Sequence, residues 1–390
     1  MATAANSRIR LASGHEIPRL GFGVYKTPPE DSYRCCLEAF QASYRHIDSA
    51  AAYKNEAGCG SAIRDSKIPR EEIFFTSKVI NISYDGAKET IDQTLTLTGL
   101  DYVDLMLLHK PMGGSENRKG AWKALVEAVE AGKVRSIGVS NYGVHHLEEL
   151  QQHMRELQAE RGGKNKGGTL SVNQVELHPW LARKELVDWC ENNGIALQAY
   201  SPIVRGARFE EPYLQTLAKK YDKTPAQILI RWSLDKGFIP LPKSVTPDRI
   251  KANAQVFDFE LTPSEVQELE TEEYSPSPVD IHAFANTHAR SSYQHTALHT
   301  GNADAGLLPL GRKSRLYMYY IQETDLEPAG TRMSEMTLTE PQLLRASALK
   351  DRLIRQAMCS AYARLPANSQ SVLRGIKLCI AMSMAVFVSR

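Results

Sequence analysis

The segment RHIDSAAAYKNE, residues 45–56, ends a short apolar run on Asp48, passes through three alanines and reaches Tyr53. Alone it admits an ordinary reading, with Asp48 as a helix N-cap and Tyr53 as a half-buried aromatic. Its surroundings change that. Runs rich in Val, Ile and Leu recur at 19–24 (RLGFGV), 45–48 (RHID), 73–78 (IFFTSK), 103–109 (VDLMLLH), 134–140 (VRSIGVS), 170–174 (LSVNQ), 195–200 (IALQAY) and 237–243 (GFIPLPK). Between them lie stretches of helical period such as AWKALVEAVEAGK and KELVDWCENNG, each closing on a glycine suited to a C-cap. Eight such alternations predict either a doubly wound sheet or a closed (β/α)8 barrel.

The ends of the runs separate these two folds. They carry Asp48, Lys78, His109, Ser140 with Asn141, Gln174, Tyr200 and Lys243, and the first four follow one another at intervals of 30, 31 and 31 residues. In a barrel all of them open onto one face, where such enzymes build their sites. In an open sheet they are strung along an edge, with a site only at the switch point. The exits favour the barrel. Ahead of it, Ile9 and Leu11 alternate before an Ala-Ser-Gly turn, which predicts an N-terminal β-hairpin.

We assign residues 1–275 to the barrel and 276–390 to an atypical, poorly structured C-terminal extension. From about Ser275 the chain is turn-rich and carries no sustained period. An amphipathic helix is predicted over Pro341–Leu365. His295 and His299 have a metal-like spacing but no third ligand, so no metal is expected. The extension caps the pocket, lies elsewhere, or derives from retained non-coding sequence, and its composition makes the last a serious candidate.

The totals describe an ordinary soluble globular protein: 390 residues, 42% hydrophobic and 24% charged. A formal net charge of +2 gives no bulk electrostatic reason to expect nucleic acid or an acidic membrane as partner. The six cysteines (35, 36, 59, 190, 359 and 379) form no CxxC pair, which suggests free thiols in a reducing compartment. The first 23 residues lack a signal-peptide core. The apolar run from Leu378 to Val388 is about half the length that spans a bilayer. The expectation is a cytoplasmic protein, a monomer or weak dimer, without a membrane partner.

Grouped at one barrel mouth, Asp48, Tyr53, Lys78 and His109 suit the reduction of a carbonyl. The oxygen needs a proton, and a phenol with a pKa of about 10 is a poor acid near neutrality. An ammonium about 4 Å away is worth roughly 4 kcal/mol at an effective dielectric near 20. Lys78 is therefore expected to lower the Tyr53 pKa, by up to about three pKa units. Asp48 holds Lys78 in place and charged, and His109 orients the carbonyl oxygen.

The runs HIDSAAAYKNE, FFTSKV, DYVDLMLLHKP, IGVSNYG, NQVELHP, QAYSPI and IPLPKSVTPDRIKAN, in this order over about residues 8–275, resemble the aldo-keto reductase family, in particular its 2,5-diketo-gluconate reductase-like members. The resemblance implies a (β/α)8 TIM barrel, a catalytic tetrad of Asp48, Tyr53, Lys78 and His109, and hydride transfer from a nicotinamide cofactor. It further implies that Ser140, Asn141 and Gln174 hold the carboxamide and that Tyr200 stacks on the ring. Ser201, Val245 and the adenine contact Asn253 complete the set it suggests.

The cofactor can also be approached from the residues. The GFG at 21–23 lacks the third glycine and the later acidic residue of a dinucleotide-binding fingerprint, so side chains must hold the ligand. At its strand exit and helix start PKSVTPDRIKAN offers the cations Lys243 and Arg249 and the hydroxyls Ser244 and Thr246. That suits a phosphate monoester and favours NADPH over NADH; a solvated, capped helix start is the bland alternative. For the substrate, a small carbonyl compound, Tyr25, Ile80 and Lys110 join His109 around the pocket. Ile80 stands where relatives often carry Trp, and Lys110 where they often carry an aromatic. Lys110 either points to solvent or favours a polar or anionic substrate, and Trp180 either lines the pocket or packs a loop. The leading expectation is an NADPH-dependent aldehyde and ketone reductase; the alternative is an NADPH-binding regulatory subunit with little turnover.

Overall fold

The computed structural model describes residues 7–163 and 166–271. The expectations placed on 276–390, including the helix over 341–365, the two histidines and the last two cysteines, lie outside the described residues. Strands β1 (Arg8–Arg10) and β2 (Glu16–Pro18) form the antiparallel hairpin expected at the start. Eight strands follow in one sheet: β3 (Phe22–Gly23), β4 (His46–Asp48), β5 (Phe74–Val79), β6 (Val103–Leu108), β7 (Val134–Ser140), β8 (Leu170–Glu176), β9 (Ala196–Tyr200) and β10 (Ile239–Leu241). They are neighbours in chain order and every pair is parallel.

Helices cover the outside. They are α1 (Pro29–Gln41), α2 (Glu56–Asp65), α3 (Tyr84–Thr98), α4 (Gly114–Glu130), α5 (Val144–Arg161), α6 (Lys184–Asn192), α7 (Pro212–Tyr221), α8 (Pro225–Asp235), α9 (Pro247–Ala254) and α10 (Pro263–Leu269). Their ends follow local chemistry. Ser83 caps α3, and Thr224 and Thr262 form capping boxes with Gln227 and Glu265. Glycines in the left-handed region close α3 at Gly99 and α5 at Gly162.

The barrel closes between its first and last strands. Gly21 and Gly23 donate to the carbonyls of Pro240 and Pro242, each at 3.0 Å. These prolines have no N–H to return, so the seam is held from one side and both strands are shorter than their sequence runs. Gly21 fits closely there, because a Cβ would lie 2.5 Å from Leu241 Cδ2 and 2.6 Å from His46 Nδ1 and both side chains would have to shift.

Strand parity divides the core. Ile47, Phe75, Met106, Val139, Val175 and Leu197 face the helices. Phe74, Leu105, Leu107, Val172 and Ile239 face inward and pack on Leu11 and Ile17 of the hairpin, which plugs the N-terminal end. Side chains point to alternate faces of a strand and paired residues of parallel strands share a face. Inward positions therefore continue to Asp48, Lys78, His109, Ser140, Gln174, Gln198 and Tyr200 at the other end.

Candidate active site

At the C-terminal mouth the chain brings together the four residues grouped by the sequence. Lys78 is fully buried at 0% exposure and donates to Asp48 Oδ1 at 2.6 Å and to the Ser49 carbonyl at 2.7 Å. Burial is the largest influence and lowers the Lys78 pKa; Asp48 and Tyr53 together more than offset it and leave the ammonium above its ordinary value. Lys78 is therefore a fixed positive charge.

Tyr53 sits on a 3-10 turn, Ala51–Tyr53, followed by Lys54 in the left-handed region. The turn is held by Asn55, whose Nδ2 donates to the carbonyls of Val24 at 2.9 Å and Thr27 at 3.1 Å while its Oδ1 accepts from Ser49 Oγ at 2.8 Å. The half-buried Tyr53 ring lies between Tyr25, 5.0 Å between centroids, and His109, at 5.8 Å and near-perpendicular. The Lys78 ammonium is 5.0 Å from the centroid of the Tyr53 ring and acts on its hydroxyl by charge and by hydrogen bonding.

The expected lowering of the Tyr53 pKa is not what these surroundings give. Burial is the largest influence and raises it, Lys78 opposes, Asp48 and Tyr25 add to the rise, and the balance lies above the ordinary phenol value. The reason is that charge and desolvation act on the same group, and the low-dielectric site that strengthens Lys78 also penalises the phenolate. Tyr53 holds its proton at neutral pH. His109, half-buried, is pushed down to about 3 by burial, then by Lys78 and Lys110, so its ring is neutral with one N–H to donate.

The residues expected to hold the nicotinamide ring line the exits of β7 to β9. Ser140 Oγ donates to the Gln174 carbonyl at 2.8 Å. Asn141, in the left-handed region, donates from Nδ2 to the His109 carbonyl at 3.0 Å and accepts the Tyr200 hydroxyl on Oδ1 at 2.9 Å. Gln174 Nε2 donates inward to Asp48 Oδ2 at 2.7 Å and to Gln198 Oε1 at 2.8 Å. Ser201, like Asn141, has a positive φ just past its strand.

The phosphate candidates cluster at the exit of β10. Ser244 is buried and accepts the Thr246 N–H at 3.1 Å, and Thr246 precedes α9 without a side-chain cap on the helix N–H groups. Arg249 and Thr246 are exposed, Lys243 and Val245 half-buried, and Asn253 buried on α9. An uncapped helix start beside an exposed guanidinium fits a phosphate.

Around the rim, Tyr25 is 44% and Ile80 54% exposed, and Lys110 is exposed. Trp180 is buried between Arg208 and His178 and packs a loop. Sequence reasoning missed Ser49, Asn55 and Gln198, and also Glu56, which is buried and accepts from Ser77 Oγ at 2.6 Å and Thr94 Oγ1 at 2.9 Å. The only local signal was the polar triplet after Tyr53. Among the described residues no group of three or more His, Cys, Asp or Glu is arranged to hold a metal ion, and no helix is long and apolar enough to cross a membrane. The four described cysteines are free and buried.

The family model described as Aldo/keto reductase family matches residues 19–272. Methylglyoxal reductase DkgA of Escherichia coli strain K12 is 38% identical over 263 residues, covering 67% of this chain and 91% of its own length. Glyoxal reductase of Bacillus subtilis is 38% identical over 288 residues, covering 72% and 99%. A solved aldo-keto reductase from a Medee basin deep-sea metagenome library superposes with a TM-score of 0.63 at 36% identity, covering 69% of this chain and 97% of that one.

Proposed function

The chain belongs to the aldo/keto reductase family, and from that premise we propose that it reduces the carbonyl of small aldehydes and ketones with NADPH, with Tyr53 as proton donor. The carrying observation is the buried Lys78–Asp48 pair at 2.6 Å beside a protonated Tyr53 and a neutral His109. Bound NADPH supplies the hydride. His109 donates a hydrogen bond to the carbonyl oxygen and holds it toward Tyr53. The Tyr53 hydroxyl gives that oxygen its proton, and the fixed charge of Lys78 stabilises the phenolate that forms. Asp48 keeps Lys78 in place. The product is the alcohol, and the same groups serve the reverse oxidation.

The uncapped start of α9, Arg249 and Lys243 support NADPH over NADH, with Ser140, Asn141, Gln174, Ser201 and Tyr200 at the nicotinamide end and Val245 and Asn253 on the adenine side. The relatives named for methylglyoxal and glyoxal make short dicarbonyls the first substrates to try. Tyr25, Ile80, Lys110 and His109 form the proposed substrate wall. We further propose a cytoplasmic enzyme, a monomer or weak dimer, whose working unit is residues 1–275.

The test is turnover of methylglyoxal and a panel of aldehydes by the purified chain, followed by loss of reduced-cofactor absorbance. Tyr53→Phe should lower kcat by about 10²–10⁴-fold while NADPH binding persists. Arg249→Leu should raise the KM for NADPH by about tenfold or more, as loss of a charge-assisted hydrogen bond does, and leave NADH unaffected. Tight NADPH binding without turnover of any carbonyl would favour a regulatory subunit. Turnover retained in Tyr53→Phe would sink the mechanism.

A further inference from the structure

Behind the proposed proton donor runs a chain of buried polar side chains that no relative's name and no motif assigns. It starts at Lys78, passes through Asp48 Oδ1 and Oδ2 to Gln174 Nε2 at 2.7 Å, and ends on Gln198 Oε1 at 2.8 Å. Gln198 is fully buried on β9, directly paired in register with Gln174 on β8. Two residues along β9, on the same face, lies Tyr200, whose hydroxyl bonds Asn141.

The chemistry of these groups fixes their orientation. An ionised carboxylate only accepts, so the Gln174 amide must turn its nitrogen toward Asp48. The second N–H of that nitrogen then needs an acceptor, and Gln198 Oε1 is the atom presented. The consequence falls on Gln198 itself, because its Nε2 is left buried with no hydrogen-bond partner among the described residues. Such a group destabilises a fold, and Met or Leu would fill the place without that penalty. A buried amide in this state points to a role other than stability.

Resting on the reading of Lys78 and Tyr53 given above, we propose that Gln198 is a positioning residue: it locks the amide of Gln174, and through it Asp48, so that Lys78 is held against Tyr53. The locked amide also presents Gln174 Oε1, an acceptor, to the nicotinamide end of the site. Without Gln198 the Gln174 amide can rotate and release Asp48 Oδ2. Asp48 and Lys78 then gain freedom at the moment charge develops on Tyr53, and the loss falls on the chemical step.

The full-length chain carrying Gln198→Met, which keeps side-chain length and removes the acceptor, tests this beside Gln198→Glu, which keeps an acceptor in the same place. The expected result for Gln198→Met is a kcat for methylglyoxal lowered about tenfold, a KM for methylglyoxal changed less than twofold, an NADPH dissociation constant raised by less than the kcat is lowered, and a Tm equal to or above that of the parent. Gln198→Glu should restore kcat to within about threefold of the parent. A Gln198→Met protein with parental kcat, one that fails to fold, or a loss that Gln198→Glu does not recover overturns the proposal. Tyr53→Phe, run alongside, separates the two readings. If it retains turnover, the proton-donor assignment itself has failed; if it is inactive while Gln198→Met is fully active, only the positioning role has.

Discussion

Lys78 shows what the sequence could and could not say about a single residue. Its place at the end of FFTSK marked it as a strand exit, and its pairing with Asp48 was expected. Its complete burial was not legible, because burial depends on what the other strands and the Tyr53 turn stack over it. That burial makes the pair fragile to one-sided change: removing one partner of a buried ion pair costs about 3–5 kcal/mol, since the other charge is left alone. We expect Lys78→Met to lose about that much in urea unfolding, and Asp48→Asn combined with Lys78→Met to recover most of it while remaining inactive. Equal stabilities for the single and double variants would contradict this account. Tyr53 carries the opposite lesson. Two-body reasoning with Lys78 gave the wrong net direction because desolvation, a property of the whole surroundings, outweighed the neighbouring charge.

At the scale of elements, the alternating runs gave all eight barrel strands, and the glycine-closed helices gave α4 and α6 close to their observed ends. The first and last strands came out shorter than read, at Phe22–Gly23 and Ile239–Leu241. Pro240 and Pro242 cannot donate, so the ladder at the seam is one-sided, and a scan for apolar runs does not register that. The seam also sets a steric limit at Gly21. Gly21→Ala should destabilise the barrel by about 1–3 kcal/mol, the usual range for overpacking, because Leu241 and His46 must both move. The same substitution at Gly14, where a Cβ meets nothing within 4 Å but φ is +89°, should show only backbone strain. Urea midpoints of the two variants, measured side by side, check the contrast; equal losses would count against the seam argument.

For the molecule as a whole, buried histidines tie stability to pH. His46 is fully buried against Thr76 and Phe74, and burial followed by the charges of Lys78 and Arg8 pushes it down to about 3; His109 stands at about 3 as well. Their unfolded pKa is about 6.5, so between those values the unfolded chain binds more protons and stability rises with pH. Stability is thus complete above about pH 6.5 and declines as pH falls toward 3, by at most about 1.4 kcal/mol per pH unit for each histidine. Glu56 and Asp104, whose carboxyls burial holds up, act in the opposite sense. Comparing urea unfolding at pH 7 and pH 5 with a His46→Gln variant isolates the histidine, and His46→Gln should show the flatter profile. By itself the sequence determined the eightfold repeat, the face on which the strand ends gather and the four residues grouped there, because strand parity and repeat length are local properties of a chain. Only the tertiary structure decided that Gln174 turns its nitrogen to Asp48, that two prolines close the barrel and that Tyr53 keeps its proton. Those outcomes depend on distances between groups such as Asp48 and Gln174, 126 residues apart in the chain and 2.7 Å apart in the fold.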